Sequence, residues 1–110
     1  MDWAKELPAA ITVCDTHGII LDMNNHAAES FAADGGRTLV GTNVLVCHPE
    51  PARSQLAEML RTQRANVYTI EKQGKKKLIF QTPWFENEKY SGFVEISIPL
   101  PDSMPHFVRG

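Results

Sequence analysis

Residues 41–64 have the sequence GTNVLVCHPEPARSQLAEMLRTQR, and this stretch decides how the rest of the chain is arranged. A glycine-marked turn leads through a short apolar run to the Cys-His-Pro step at 47–49. Pro49 and Pro51 are excluded from a helix interior, but proline suits the first turn of a helix. Apolar residues then recur at three- and four-residue spacing, which predicts a helix with one buried face. That face consists of Ala52, Leu56, Met59, Leu60 and Gln63.

The segments before this helix predict a β-hairpin followed by a shorter helix. Residues 9–14 and 19–23 are β-prone runs on either side of the turn formers at 15–18, which is typical of an antiparallel hairpin. Asn24 is a suitable N-cap for the shorter helix, and the glycines at 35–36 are expected to end it. The long helix would therefore cover a sheet built from both ends of the chain.

After the long helix the apolar spacing changes to that of strands, and three strands are expected. Pro83 predicts a bulge or a sheet edge, while Pro99 and Pro101 are expected to stop the last strand. The domain is expected to span residues 9–98, between a leader at 1–8 and a tail at 99–110. The predicted strands are 66–71, 76–84 and 90–98.

Length and composition favour one globular domain. The chain has 110 residues, 43% of them hydrophobic and 22% charged, with a net charge of −2. This balance argues against disorder and against broad electrostatic binding to nucleic acid or to an anionic membrane. The sequence has no apolar run near the roughly 20 residues that cross a bilayer, and no signal-peptide pattern. A cytoplasmic location with reduced thiols at Cys14 and Cys47 is therefore predicted.

Five short motifs, in this order, resemble those of a PAS domain over about residues 7–98. The Cys-His-Pro step also resembles a subgroup of bacterial PAS domains that carry it before the long helix. The motifs are DTHGII at 15–20, MNNHAA at 23–28, LVGTNV at 39–44, CHP at 47–49 and GFVEI at 92–96.

The resemblance implies an α+β fold, with a five-stranded antiparallel sheet, helices packed on one face and a pocket between them. It implies a sensory or dimerising module rather than an enzyme. We expect a homodimer that binds a small molecule and that, if the chain is complete, signals to a partner protein in trans. The alternative is an ordinary core without a void. The pocket candidates are Thr12, Cys14, Cys47, His48, Leu56, Met59, Leu60, Val94 and Ile96.

Cys47 and His48 are the sharpest chemical pair in the sequence. They could be structural, could contact a ligand, or could support redox chemistry, since a thiol near a helix start can be reactive. Two ligands fall short of the four of a structural zinc site, so no such metal site is predicted. Haem bound through His48 is left open as a cofactor. Flavin is disfavoured because the light-sensing branch of the family needs a different sequence around its cysteine.

Aromatic residues of the strands, together with the leader, are the candidate interface. These residues are expected to lie on the outer face of the sheet, where an exposed aromatic patch often marks an interface. The alternative is that the leader and the tail of the same chain cover this face. The candidates are Trp3, Leu7, Tyr68, Trp84 and Phe93. Three hypotheses remain at this point: a ligand-binding sensor, a ligand-free dimerisation module, and a sensor loaded with haem or metal through His48 or Cys47. The sequence shows no phosphate-binding loop or nucleophile elbow, so no enzymatic activity is predicted.

Overall fold

The computed structural model describes residues 1–46 and 48–110. The element order agrees with the prediction of an α+β fold. In chain order the elements are β1 Ala10–Cys14, β2 Ile20–Met23, α1 Asn25–Ser30, 3-10 turns at Ala32–Asp34 and Gly36–Leu39, α2 Ala52–Thr62, β3 Asn66–Lys72, β4 Lys75–Glu86 and β5 Lys89–Leu100.

The five strands form one antiparallel sheet in the order β2-β1-β5-β4-β3. β1 lies beside β5, so the two ends of the chain meet at the centre of the sheet, as predicted. β2 and β3 form the edges. No helix of the described residues has the length and the apolar composition needed to cross a bilayer.

The turn of the first hairpin explains why the DTHGII motif has aspartate at 15 and glycine at 18. The Oδ1 atom of Asp15 accepts hydrogen bonds from the main-chain N–H groups of His17, at 2.8 Å, and Ile19, at 3.0 Å. Gly18 follows with φ of 86°, a left-handed conformation that glycine adopts without strain. The carbonyl of Gly18 accepts a 2.7 Å hydrogen bond from the N–H of Val44. The hairpin turn is thereby fixed to the segment that precedes α2.

Asn24 caps α1, as predicted, and also joins three separate segments. Its Oδ1 accepts from the main-chain N–H groups of Ala27 and Ile11, while its Nδ2 donates to the carbonyls of Ala4 and Ala9. The residue is only 6% exposed, and its amide is fully paired. The leader is therefore attached to β1 and α1 through one side chain.

α1 is shorter than predicted. It ends at Ser30, and the chain continues into the 3-10 turn Ala32–Asp34 before Gly35 takes a left-handed φ of 112°. The predicted glycine stop therefore follows the 3-10 turn and not the α-helix itself.

α2 presents its apolar face to the sheet, as the spacing predicted. Leu60 is buried and Leu56 and Met59 are half-buried. Gln63 lies just beyond the helix, at a left-handed φ of 59°. The hydroxyl of Tyr90 on β5 donates a 2.9 Å hydrogen bond to the carbonyl of Leu60, which fixes the carboxyl end of α2 to the sheet.

The core lies on the helix side of the sheet, so the prediction of helices on one face is confirmed. One buried cluster joins α2 to the two central strands, and the other joins β2 to α1. The first cluster is Cys14, Leu60 and Phe93, and the second is Ile20, Met23 and Ala27.

The prediction that Pro99 stops the last strand is wrong, because β5 continues through it to Leu100. Pairing with β1 ends at Ser97, so beyond that residue β5 has only β4 beside it. A residue without a main-chain N–H is tolerated where one side of a strand is open. The prediction for Pro83 is correct, since β3 pairs with β4 only as far as Gln81 and a bulge follows at Trp84.

Candidate functional site

A cavity of about 530 Å³ lies between the sheet and the helices. Its wall is mainly apolar, with a small number of polar side chains. The lining residues are Thr12, Cys14, Ile20, Phe31, Asp34, Leu39, Val44, His48, Leu56, Met59, Gln81, Phe93, Val94 and Glu95.

The pairing register explains which strand residues face this cavity. Directly paired residues of antiparallel strands point to the same face of the sheet. Cys14 pairs with Phe93, so both contribute to the apolar part of the wall. Thr12 pairs with Glu95, and Glu95 pairs with Gln81, which places a polar row across the three strands.

The polar row is held in place by hydrogen bonds between side chains. The Nε2 of Gln81 donates to Oε1 of Glu95 over 2.7 Å, and the Nδ2 of Asn66 donates to Oε1 of Gln81 over 3.2 Å. Within the described residues, Oε2 of Glu95 accepts no hydrogen bond from the protein. The hydrogen bond to Oε1 therefore orients the carboxylate, and Oε2 can accept a hydrogen bond from a ligand.

His48 lines the opposite side of the cavity, at the approach to α2. Its Nδ1 lies 2.7 Å from the carbonyl oxygen of Val44. A carbonyl can only accept, so Nδ1 carries the proton in this bond. In the neutral ring, Nε2 is then an acceptor.

Cys14 contributes a protonated thiol to the apolar wall. Burial raises the pKa of this thiol above its ordinary value of 9.0, and the charges of Asp15 and Glu95 add to that effect. A main-chain hydrogen bond at Phe93 acts in the opposite direction but is smaller than the effect of burial. A thiol with a raised pKa is a poor nucleophile at neutral pH, so the site shows no activated cysteine at this position.

The structure places most of the predicted pocket residues at the cavity wall. Leu60 lies in the core cluster beside Cys14 and Phe93. Ile96 is a correction, because it pairs with Ile11 and its side chain lies on the opposite face from Thr12. Cys47 lies outside the described residues. The predicted residues at the wall are Thr12, Cys14, His48, Leu56, Met59 and Val94. Val94 pairs with Val13, so its side chain lies on the same face as that of Ile96, and the prediction that it points into the pocket is also wrong. That any of them binds a ligand stays a prediction.

Sequence reasoning missed both the polar row and the part of the wall formed by α1 and the turns. Gln81 and Glu95 each interrupt an apolar strand with a long polar side chain. This interruption is the sequence feature that could have indicated the polar row. The missed lining residues are Ile20, Phe31, Asp34, Leu39, Val44, Gln81, Phe93 and Glu95.

Two of the predicted interface residues are on the wrong face. Phe93 is only 4% exposed. It pairs with Cys14, which places its side chain on the helix side of the sheet, in the core cluster with Leu60. Tyr68 pairs with the buried Ile79, so its side chain also lies on the helix side, where it is 40% exposed. Both errors have one cause: the strands are apolar on both faces, so their sequences do not tell which face meets the helices.

The remaining candidates are distributed between the sheet and the leader. Trp84 is half-buried, and its register with Gly92 places it on the side of the sheet away from the helices. Trp3 is 69% exposed, whereas Leu7 is half-buried.

The side of the sheet away from the helices, called the outer face below, is apolar. One cross-strand row joins Val67, Phe80, Ile96 and Ile11 through the pairing register. Val67, in this row, is 53% exposed, and Ile98, on the same face but outside the row, is 38% exposed. Part of the apolar outer face is therefore open to solvent.

The described lining does not fit haem. The Nε2 of His48 could coordinate iron, but haem also carries two propionate groups. The described lining residues include Asp34 and Glu95 and no Lys or Arg, so they offer like charge to those groups. Within the described part of the chain, no three His, Cys, Asp or Glu side chains come together in a way that could hold a metal ion.

Comparison with protein-family models and with curated proteins gives no match. Solved structures do resemble the chain. A C-terminal domain from Streptococcus mutans has a TM-score of 0.70 and 22% identity, with 87% of this chain and 78% of that chain covered. The PAS domain of BvgS from Bordetella pertussis has a TM-score of 0.61 and 18% identity, covering 90% and 82%.

A third similar structure is the Aer2 receptor from Vibrio cholerae, described as a dual PAS-heme oxygen sensor. Its TM-score is 0.58 at 19% identity, with 84% of this chain and 95% of that chain covered. The order of the sheet, the placement of the helices and these similarities agree with the motifs of the sequence. The chain is a domain of the PAS fold.

Proposed function

We propose that the chain is a sensory module that binds a small organic molecule in the cavity and changes its contact with another protein in response. The cavity supports this proposal most directly. Its volume of about 530 Å³ falls within the range of small-molecule sites, which are mostly apolar with a few placed polar groups. The similar structures include a sensor, which supports a signalling role.

The ligand would contact the two elements that can transmit a change. Leu56 and Met59 line the cavity from α2, and Phe93 lines it from the central strand β5. The hydrogen bond from Tyr90 to Leu60 fixes the carboxyl end of α2 to the sheet, and Leu56 contacts the cavity from the amino-terminal half of the helix. A ligand that binds one position of α2 better than another shifts the population toward that position.

We propose that the outer face is the output surface and that its partner is a second copy of this chain. Both helices pack on the other side, and the apolar row from Val67 to Ile11 crosses four strands. An apolar surface of this kind is typical of a homodimer interface. The proposal retains the predictions of a cytoplasmic module without enzymatic activity and without nucleic-acid contact, which signals to a partner protein in trans.

An absorption spectrum and a native mass spectrum of the purified protein test the ligand and the dimer together. Copurified small-molecule mass that is lost on denaturation would support the sensor. Leu56→Trp should fill the cavity and remove that mass. Gln55→Trp, on the exposed side of the same helix, is the matched control and should retain it.

The outer face also favours a second candidate, a dimerisation module without a ligand. In that case the native mass would be that of the bare dimer, and Leu56→Trp would behave like Gln55→Trp. Added small molecules would then leave the main-chain NMR signals of the cavity residues unchanged. A monomer without bound mass or ligand response would contradict both candidates.

A further inference from the structure

We infer that the cavity selects a small organic cation, a protonated amine attached to an apolar or aromatic body. This inference rests on the proposed function and names the class of its ligand. It starts from the charges of the wall. Asp34 and Glu95 both line the cavity, and the described lining residues include no Lys or Arg to balance them.

The polar groups of the wall act mainly as hydrogen-bond acceptors. Oε1 of Glu95 is occupied by Gln81, and within the described residues Oε2 receives no donor. His48 uses its Nδ1 proton on the carbonyl of Val44, which leaves an acceptor at Nε2 in the neutral ring. A ligand that pairs with these groups has to bring the donors, and a protonated amine brings up to three.

The apolar wall suits the same class of ligand. Phe31 and Phe93 both line the cavity, and aromatic rings attract cations over their faces. Phe93 is held edge-on by Tyr90, with ring centroids 6.3 Å apart and planes at 83°, so its position is fixed before a ligand arrives. Leu56 and Met59 complete an apolar surface for the body of the ligand.

An anion of the same size would be disfavoured. It would have to leave water, find no cationic side chain among the described lining residues, and enter a cavity lined by two carboxylates. Charge interactions strengthen as the surroundings become less polar, so the same carboxylates that attract an amine repel an acid. The cavity therefore discriminates by charge.

Three probes with one aromatic body and different charge test this inference on the full chain: phenethylamine, phenethyl alcohol and 3-phenylpropionate at pH 7. Binding is followed by the main-chain NMR signals of Cys14, Met59 and Phe93. We expect phenethylamine to bind about tenfold or more tightly than the alcohol, since a bond to a charged group contributes that much. The propionate should bind more weakly than either.

Glu95→Gln removes the charge while the new amide oxygen can still accept from Gln81. It should lower the affinity for the amine much more than the affinity for the alcohol, and so reduce the preference for the amine. Asp34→Asn should reduce the preference by a smaller factor, because that side chain is exposed. Glu86→Gln, at the exposed end of β4 outside the cavity, is the matched control and should change nothing.

The outcomes separate the inference from the proposed function. Equal or tighter binding of the propionate or the alcohol at the same residues overturns the inference and leaves the ligand-binding function standing. The same holds if Glu95→Gln leaves the preference unchanged. If none of the three probes shifts the signals of Cys14, Met59 and Phe93, the inference fails, and the copurified mass and its loss in Leu56→Trp then decide the ligand-binding function separately.

Discussion

The indole Nε1–H of Trp84 donates a 3.0 Å hydrogen bond to the main-chain carbonyl of Cys14. This bond links the two sides of the sheet. Cys14 lines the cavity, while Trp84 lies on the outer face beside the apolar row. A displacement of β1 caused by a ligand would therefore reach the proposed output surface through one contact.

Trp84→Phe tests this link by removing the N–H donor and keeping most of the ring. We expect a loss of about 1 kcal/mol in the free energy of unfolding, the usual contribution of one hydrogen bond. Urea denaturation measures it. Trp3→Phe is the control, because Trp3 is 69% exposed and should show almost no change. Equal stability of Trp84→Phe and the wild type would contradict the role of the bond.

Gly92→Ala should destabilise the fold severely. A Cβ atom at this position would lie 2.0 Å from the carbonyl oxygen of Cys14, and the residue has φ of 137°. The obstacle is main chain, so it cannot move aside easily. We expect a loss above about 3 kcal/mol, at the upper end of ordinary single substitutions.

Gly74→Ala is the matched control for this steric effect. Gly74 also has a positive φ, of 75°, but nothing lies within 4 Å of its Cβ position. It should cost about 1 kcal/mol for the backbone conformation alone. Thermal unfolding of both variants compares the two effects, and equal losses would show that the close approach at Gly92 does not matter.

Asn24→Ala should remove all four side-chain hydrogen bonds that join the leader, β1 and α1. The lost helix cap and the unpaired main-chain groups together should cost about 3 kcal/mol. Asn24→Asp keeps the acceptor for Ala27 and loses the donor for Ala9, so its loss should be intermediate. Glu29→Ala, at an exposed position of α1, is the control. Chemical denaturation measures all three, and a loss at Asn24 no larger than at Glu29 would be contrary to this role.

The pH dependence of stability should contain a contribution from Cys14. Its folded-state pKa is raised above the ordinary 9.0, chiefly by burial, so the folded protein holds this proton more tightly than the unfolded chain. The resulting stability is fully present below the unfolded pKa and is lost as pH rises through the folded pKa.

The stability difference between wild type and Cys14→Ala should therefore be constant near neutral pH and shrink in alkaline solution. Denaturation at a series of pH values measures this difference. Thr12→Ala keeps the thiol, so its difference from wild type should not change with pH. A parallel change in both variants would show that Cys14 is not the titrating group.

Ile98→Glu should break the proposed homodimer, since a carboxylate would then lie on the apolar outer face. Ile98 is 38% exposed, so the monomer should still fold, whereas a charge at the buried Phe93 would only disrupt the core. Sedimentation should show a change from dimer to monomer mass. Val108→Glu in the tail, at a residue 89% exposed, is the control. A wild type that is already monomeric would refute the dimer.

The fold was largely predictable because its signals are local. The Asp15–Gly18 turn, the cap at Asn24 and the apolar spacing of α2 each depend on residues close in sequence. The length of α1 was overestimated because residues 32–34 form a 3-10 turn. Their sequence does not distinguish this turn from a continuation of the α-helix. The extension of β5 through Pro99 depends on where β1 begins, since its first residue Ala10 pairs with Ser97, and a local pattern does not contain that information.

The cavity was less predictable because it depends on which face of the sheet meets the helices. Strand β5 carries apolar residues on both faces. The sequence therefore does not show whether Phe93 or Val94 points toward the helices. Glu95 and Gln81 look like solvent-facing residues until their pairing across β4 and β5 places them together. Their function depends on contact between strands, which only the assembled sheet reveals.

Glu95 and Ile96 are neighbours in β5, yet one belongs to the cavity wall and the other to the outer face. A deletion of one residue ahead of them would reverse every later side chain of the strand. The carboxylate would then move to the outer face, and the isoleucine would enter the cavity. Replacement of single side chains along β5 can adjust recognition or assembly separately, but a change in its length alters both at once. This strand should therefore tolerate variation in chemistry far better than variation in length.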